Sequence, residues 1–158
     1  MKNFEIERKY LVHTPPKNLA AFPCHEIEQG YLCTEPVVRI RRQDEEYWLT
    51  YKSRGLMVRE EYNLPLTKES YLHLRSKTDG CLISKRRYRI PCGPYTIELD
   101  VFSSPENGLL LAEVEFPTEK EALSFQAPDW FGEDVTNSPR YHNSVMSQSA
   151  VSQNSSSF

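Results

Sequence analysis

Residues 1–12 read MKNFEIERKYLV, and Glu5, Glu7 and Lys9 in it alternate with Phe4, Ile6 and Arg8. In a strand, residues two apart share a face. The stretch therefore predicts a strand over 4–10 with two carboxylates and an ammonium on one side and a more apolar face on the other. Such a strand needs something on its charged side other than a conventional core.

The pattern repeats along the chain. Alternating runs predict further strands over 26–33, 37–42, 46–52, 58–64, 82–90, 95–102 and 110–116, separated by turn-rich stretches such as HTPPKN, SRGL, PCGP and SSPENG. Arg39 and Arg41 are backed by Val38 and Ile40, and Glu98 and Asp100 by Ile97, Leu99 and Val101. Glu113 and Glu115 are backed by Ala112, Val114 and Phe116. The same parity puts Lys52 with Thr50 and Trp48, Glu61 with Arg59 and Asn63, and Lys85 and Arg87 with Arg89 at the margin. For one strand alone, a solvated polar face explains such alternation equally well. For the set it does not, because like charges gathered along a strand repel unless opposite charge lies between them.

Closing the sheet with its charged faces inward supplies that arrangement. The expected fold is α+β, mainly β: a closed eight-stranded antiparallel barrel, or tunnel, with a charged lumen and short helices packed outside. Two helices are expected, over 67–77 with Thr67 as N-cap and over 118–126, where Thr118 and Glu121 have capping-box spacing. After FQAPDWFGEDVTNSPRY one or two more helical turns are expected. Residues 1–146 read as one tunnel domain and 147–158 as a Ser/Gln/Asn-rich tail.

Composition narrows the partners. The chain has 158 residues, a formal net charge of -3 and a pI near 5.8, so bulk electrostatics give no argument for nucleic acid. No export signal is evident, and no window reaches the roughly 20 apolar residues of a membrane helix. Cys24, Cys33, Cys81 and Cys92 form no CxxC pair, which points to reduced thiols, with neither a zinc site nor a disulfide framework. A cytoplasmic protein without membrane association is expected. A second copy of the chain is the one protein partner left open.

The lumen so defined holds Glu5, Glu7, Glu61, Glu98, Asp100, Glu113 and Glu115 with Lys9, Arg39, Arg41, Lys52, Lys85 and Arg87. Mutual ion pairing is one explanation, but buried pairs are costly to desolvate and seldom favoured for stability alone. A polyanionic small molecule explains the bases, since Arg and Lys bind phosphate oxygens. Mg2+ or Mn2+ between carboxylates and phosphates explains the acids.

These residues carry a family resemblance. Glu5-Ile6-Glu7-Arg8-Lys9 resembles the ExExK signature of the CYTH, or triphosphate tunnel metalloenzyme, superfamily. The likeness continues through IEQGYL (27–32), RIR (39–41), TYKS (50–53), KRRY (85–88), IELDVF (97–102), AEVEF (112–116) and WFGEDVTNSPRYHN (130–143). The resemblance implies a tunnel that binds a triphosphate and one or two divalent metals, and it is nearest to the small bacterial inorganic triphosphatases. It implies Glu5, Glu7, Glu113 and Glu115 as main metal carboxylates, with Glu61, Glu98 and Asp100 in support. Lys9, Arg39, Arg41, Lys52, Lys85 and Arg87 would hold phosphates, and Lys9, Tyr31 and Lys85 would serve catalysis. An adenylyl cyclase of class IV type and a non-catalytic polyphosphate or nucleotide binder are the alternatives.

Three placements are finer. Parity within IEQGYL sets Ile27, Gln29 and Tyr31 inward, where the Tyr31 hydroxyl either hydrogen-bonds Lys9 or the ring simply packs, and leaves Glu26 and Glu28 facing solvent. SRGL (53–56) is expected to turn and to leave Arg54 and Arg59 near the tunnel mouth. His13, His25, His73 and His142 lack metal-ligand spacing and are expected in loops or on helices, in surface or capping roles.

Overall fold

A computed structural model describes residues 4–148. Eight strands close into one antiparallel barrel: β1 (Phe4–Leu11), β2 (Cys24–Thr34), β3 (Val37–Gln43), β4 (Glu46–Lys52), β5 (Val58–Pro65), β6 (Asp79–Cys92), β7 (Tyr95–Ser104) and β8 (Leu110–Glu115). Their order around the wall is β1-β5-β4-β3-β2-β6-β7-β8. β1 closes the ring by dividing its length, pairing Phe4 to Ile6 with β5 and Glu7 to Leu11 with β8. All eight expected strands are present, and the longest, β6, runs beyond the expected 82–90 at both ends and keeps its ladder through Cys92, opposite Tyr95.

The helices are shorter than the sequence suggests. α1 (Lys68–Arg75) starts where Thr67 accepts from the Ser70 amide, and α2 (Glu119–Ser124) where Thr118 accepts from the Glu121 amide. Both caps satisfy amides that the first helical turn leaves without partners. α1 lies against β3 and β4, and α2 against β1. Helical residues 143–148 supply the turns expected after Tyr141, and a 3-10 turn at Pro139–Tyr141 precedes them. The rest of the tail, 149–158, lies outside the described residues.

The apolar side chains divide between the two faces of the wall. Outside, Ile97, Leu99, Ala112, Val114, Phe116 and Ala122 form a core covered by Phe125, Trp130 and Phe131. Inside, one end of the lumen is plugged by Val37, Ile83, Phe102 and Leu111, against which Val135 and Met146 pack. These four lie two residues from Arg39, Lys85, Asp100 and Glu113, so the strands that carry the charges also carry the plug. The apolar plug thus lies at one end of the charged lumen, with the β3-β4 and β6-β7 hairpins at the other.

Candidate active site

The lumen contains a cavity of about 170 Å3 lined by six glutamates and seven lysines or arginines. The glutamates are Glu5, Glu7, Glu61, Glu98, Glu113 and Glu115, and the cations Lys9, Arg39, Arg41, Lys52, Arg59, Lys85 and Arg87. Tyr31, Asn63, His142 and Asn143 line it as well. Asp100 does not reach it. Its oxygens are held by Arg87 Nε and Nη2 at 2.7 and 2.9 Å and by Lys85 Nζ at 2.7 Å, and the residue is fully buried. Arg89, the marginal member of its strand, is exposed, at the open end where the lumen stops.

Pairing of the cavity charges is incomplete in both signs. Lys52 Nζ donates to both oxygens of Glu5 at 2.9 and 3.0 Å and lies 3.4 Å from Glu61. Lys9 stands 3.4 Å from Glu113, and Arg87 reaches Glu98 at 3.1 Å. Among the described residues Arg39, Arg41 and Arg59 have no ion pair with a carboxylate, and neither Glu7 nor Glu115 has one with a base. Nε of Arg39 and Nε of Arg59 are buried without any hydrogen-bond partner. Buried polar groups left unsatisfied are uncommon and mark places where a ligand belongs.

The electrostatics follow this division. Burial would raise Glu5, but the Lys52 charge and hydrogen bonds with Glu61 and Lys52 overcome it and lower the carboxyl to about 2. Glu113 is likewise held well below the usual range, because Lys9, Arg87 and Lys85 outweigh its burial. Glu7 goes the other way, pushed well up by burial and by the Glu113 and Glu5 charges. Glu115 rises to about 7 through burial and the Glu5, Glu61 and Glu98 charges. Burial, with Arg87 and Arg41 nearby, pulls Lys85 down to about 7 despite Asp100.

Glu7 and Glu115 are direct cross-strand partners in the β1-β8 ladder, a position in which like charges destabilise. A divalent cation relieves that repulsion, and all the available donors are hard carboxylate oxygens. Among the described residues no three metal-ligating side chains already converge on one point. Hard oxygen donors of this kind could hold a hard divalent ion, with Glu7 and Glu115 the nearest pair.

Hydrogen bonds fix the side opposite the acids. Arg41 donates through Nε and Nη2 to Gln29 Oε1 at 2.9 and 2.7 Å, and Gln29 Nε2 donates to the Tyr31 hydroxyl and to Asn143 Oδ1. Tyr31 is buried as expected, but Gln29 is its partner in place of Lys9. Lys9 Nζ instead donates to the Tyr141 carbonyl at 3.0 Å. Gln29 and Asn143 carry no charge and Asn143 arrives from a segment 114 residues from Gln29, so charge patterning could not find them. The inward parity shared by Gln29 and Tyr31 was the available signal.

Several peripheral expectations need correction. Arg54 is not among them, since it is solvent-exposed, 4.0 Å from Glu35, and lines a hollow that shares Arg59 and His142 with the cavity. Glu28 is tied down by Tyr71 and Arg75 and is not simply facing solvent. His25 lies in β2 and bonds Asp44, not in a loop or helix. His142 caps the 3-10 turn as expected, but it is half-buried and also lines the cavity, because the chain after Ser138 crosses the plugged end.

Burial and the Lys9, Arg59 and Lys52 charges lower His142 from 6.5 to about 4. The imidazole is neutral in the folded protein at pH 6 but protonates in the unfolded chain. Its contribution to stability is therefore complete above pH 6.5 and is lost as pH falls toward 4. Melting temperatures compared with those of His142→Gln should coincide in slope above pH 7 and diverge below 6.5, with the wild type falling faster. Parallel curves down to pH 4 would show that the imidazole is not protected.

With that geometry in place, three comparisons bear on the chain. The family model described as CYTH domain matches residues 3–148. A protein of Nitrosomonas europaea named inorganic triphosphatase is 41% identical over 151 residues, covering 92% of this chain and 97% of that one. One of Acetivibrio thermocellus with the same name is 35% identical over 146 residues, covering 89% and 90%. A crystal structure of an inorganic triphosphatase superposes with a TM-score of 0.65 at 37% identity, covering 90% of this chain and 93% of that chain.

Proposed function

The chain belongs to the CYTH domain family, and on that premise we propose that it hydrolyses a linear triphosphate, inorganic tripolyphosphate, to pyrophosphate and phosphate. The observation that carries the proposal is the presence of unpaired arginines and unpaired glutamates in one buried cavity. A polyanion alone answers only the arginines, and a cation alone only the glutamates. A triphosphate bound with a divalent metal answers both.

Arg39, Arg41 and Arg59 hold the phosphoryl oxygens, because no carboxylate already occupies them. Lys52 and Arg87 keep Glu5, Glu61 and Glu98 in place while adding positive charge to the wall. Lys9 Nζ, Lys85 Nζ and the Tyr31 hydroxyl offer protons to the leaving pyrophosphate, whose charge grows as the terminal phosphorus–oxygen bond breaks. Glu7 and Glu115, with Glu5 and Glu113 beside them and Glu61 and Glu98 toward the open end, would hold Mg2+ or Mn2+. Such an ion, when bound, supplies charge neutralisation on phosphate oxygens and a water acidified for attack. Asp100 acts at one remove, by setting Lys85 and Arg87.

One observation favours testing ATP as well. A hollow of about 410 Å3 lined by Pro36, Val37, Leu56 and Val145 shares Val37, Arg59, His142 and Ser144 with the cavity. It gives the cyclase reading a place for a nucleoside. Among the described residues no helix is long and apolar enough to cross a membrane, and Cys24, Cys33, Cys81 and Cys92 are all free thiols. The thiols support a reducing, cytoplasmic setting.

The test is phosphate release from tripolyphosphate, ATP and thiamine triphosphate with Mg2+, with Mn2+ and with EDTA. Release from tripolyphosphate should be fastest and should stop in EDTA. Cyclic AMP and pyrophosphate from ATP, with no phosphate, would move the assignment to a cyclase. Tight binding without any product would make the protein a binder.

A further inference from the structure

We infer that Gln29 is a positioning residue whose neutral amide fixes the direction in which Tyr31 and Arg41 present their protons to the triphosphate. The inference rests on the cavity being a triphosphate site. Gln29 is fully buried, and its amide spends its whole capacity, two donors and two acceptor positions, on the residues around it. Oε1 accepts from Arg41 Nε and Nη2 at 2.9 and 2.7 Å. Nε2 donates to the Tyr31 hydroxyl at 3.0 Å and to Asn143 Oδ1 at 3.1 Å, and the latter also accepts from Lys85 Nζ at 3.0 Å.

The orientation of that amide is dictated by its neighbours. A guanidinium has only donors, so the oxygen of Gln29 must face Arg41 and the nitrogen must face Tyr31. An amide nitrogen can only donate, so the Tyr31 oxygen accepts and its own hydrogen is left to point elsewhere. Tyr31 lines the cavity, so the free proton is available to a phosphoryl oxygen. The same amide grips Arg41 through two bonds without neutralising it, which leaves the full guanidinium charge for the substrate. A glutamate here would hold Arg41 as firmly but cancel its charge, and it would turn the Tyr31 hydroxyl into a donor to itself.

Position 30 keeps this pair in place. Gly30 lies between Gln29 and Tyr31 where the β2-β6 register shifts. A Cβ there would meet Leu82 and Thr78 side-chain atoms at 2.8 Å. The glycine lets β2 approach β6 closely enough to hold both neighbours on the lumen face.

The test is Gln29→Glu, which keeps the side-chain length. Carbon NMR of ring-labelled tyrosine, with the Tyr31 resonance assigned by its loss in Tyr31→Phe, reports the hydroxyl directly and needs no turnover. The Tyr31 resonance should move in Gln29→Glu while the other tyrosine signals stay. On tripolyphosphate, kcat should fall about tenfold and KM rise about tenfold, each the size expected for one hydrogen bond to a charged group. In a Tyr31→Phe background the kcat loss should vanish and the KM rise should persist through Arg41. Additive kcat losses, or an unmoved Tyr31 resonance, would overturn the inference. Gln29→Met, which removes all four bonds, takes the place of the glutamate variant if that one does not fold, with the same resonance shift expected. A wild type that leaves tripolyphosphate intact refutes the triphosphatase reading, and the resonance still decides whether Gln29 orients Tyr31.

Discussion

Asp100→Asn is expected to destabilise the protein by about 3 kcal/mol, the low end of the cost of removing one partner from a buried ion pair. Asp100 is fully buried and receives two bonds from Arg87 and one contact from Lys85. The asparagine keeps the shape but offers one acceptor oxygen and two unwanted donors to two cations. Lys85, already at about 7, can shed its proton in the variant. Arg87 cannot, and retains only Glu98 at 3.1 Å and Glu113 at 3.7 Å. That is why the expected loss lies at the low end of the range and not beyond it. Burial would raise Asp100, but the Arg87 and Lys85 charges outweigh it and lower its pKa, so its stabilisation is present above pH 4 and is lost as pH falls below. Urea denaturation at pH 7 measures the difference. A loss under about 1 kcal/mol would mean that Glu98 and Glu113 take over Arg87 without cost.

The contrast between Asp100 and the other acids marks where sequence reading stops. Side-chain parity is a property of the strand itself, so Glu5, Glu7, Glu113 and Glu115 could be set on one face from their spacing alone. Barrel closure followed, because acidic and basic strands need each other across a lumen. Parity says nothing about depth along the lumen. Asp100 lies on the inward face but is sealed by Arg87 and Lys85, while Arg89, two residues beyond Arg87, has already left the open end. Nor can parity report a residue that comes from outside the strands. His142 and Asn143 enter the cavity only because residues after 138 fold across the plugged end, and Lys9 bonds the Tyr141 carbonyl there. Gln29 is inward by its parity with Tyr31, but its links to Arg41 and Asn143 join neutral groups to a charge pattern that carries no trace of them.

Arg39→Ala tests the opposite kind of residue, one whose charge the fold does not need. Arg39 is buried, with Nε unsatisfied and a single long hydrogen bond of 3.4 Å from Nη2 to Thr50. Its charge lowers Arg41 and opposes the raised pKa of Lys52, so removing it relieves repulsion inside the lumen. Without ligand the variant should melt at or above the wild-type temperature, the reverse of Asp100→Asn. With tripolyphosphate and Mg2+ the order should invert. A ligand at 100 times its dissociation constant stabilises the folded state by about 2.7 kcal/mol, and losing a charged phosphate contact costs about 1.5–3 kcal/mol of affinity. Most of the ligand-induced rise in melting temperature should therefore disappear in Arg39→Ala, and turnover at low substrate should fall about 10- to 100-fold. A variant that loses stability without ligand, yet keeps its response to tripolyphosphate, would assign Arg39 to the fold and leave Arg41 and Arg59 to hold the phosphates. The two variants thus separate charges that build the tunnel from charges that wait for a ligand, by the sign of their effect on the empty protein.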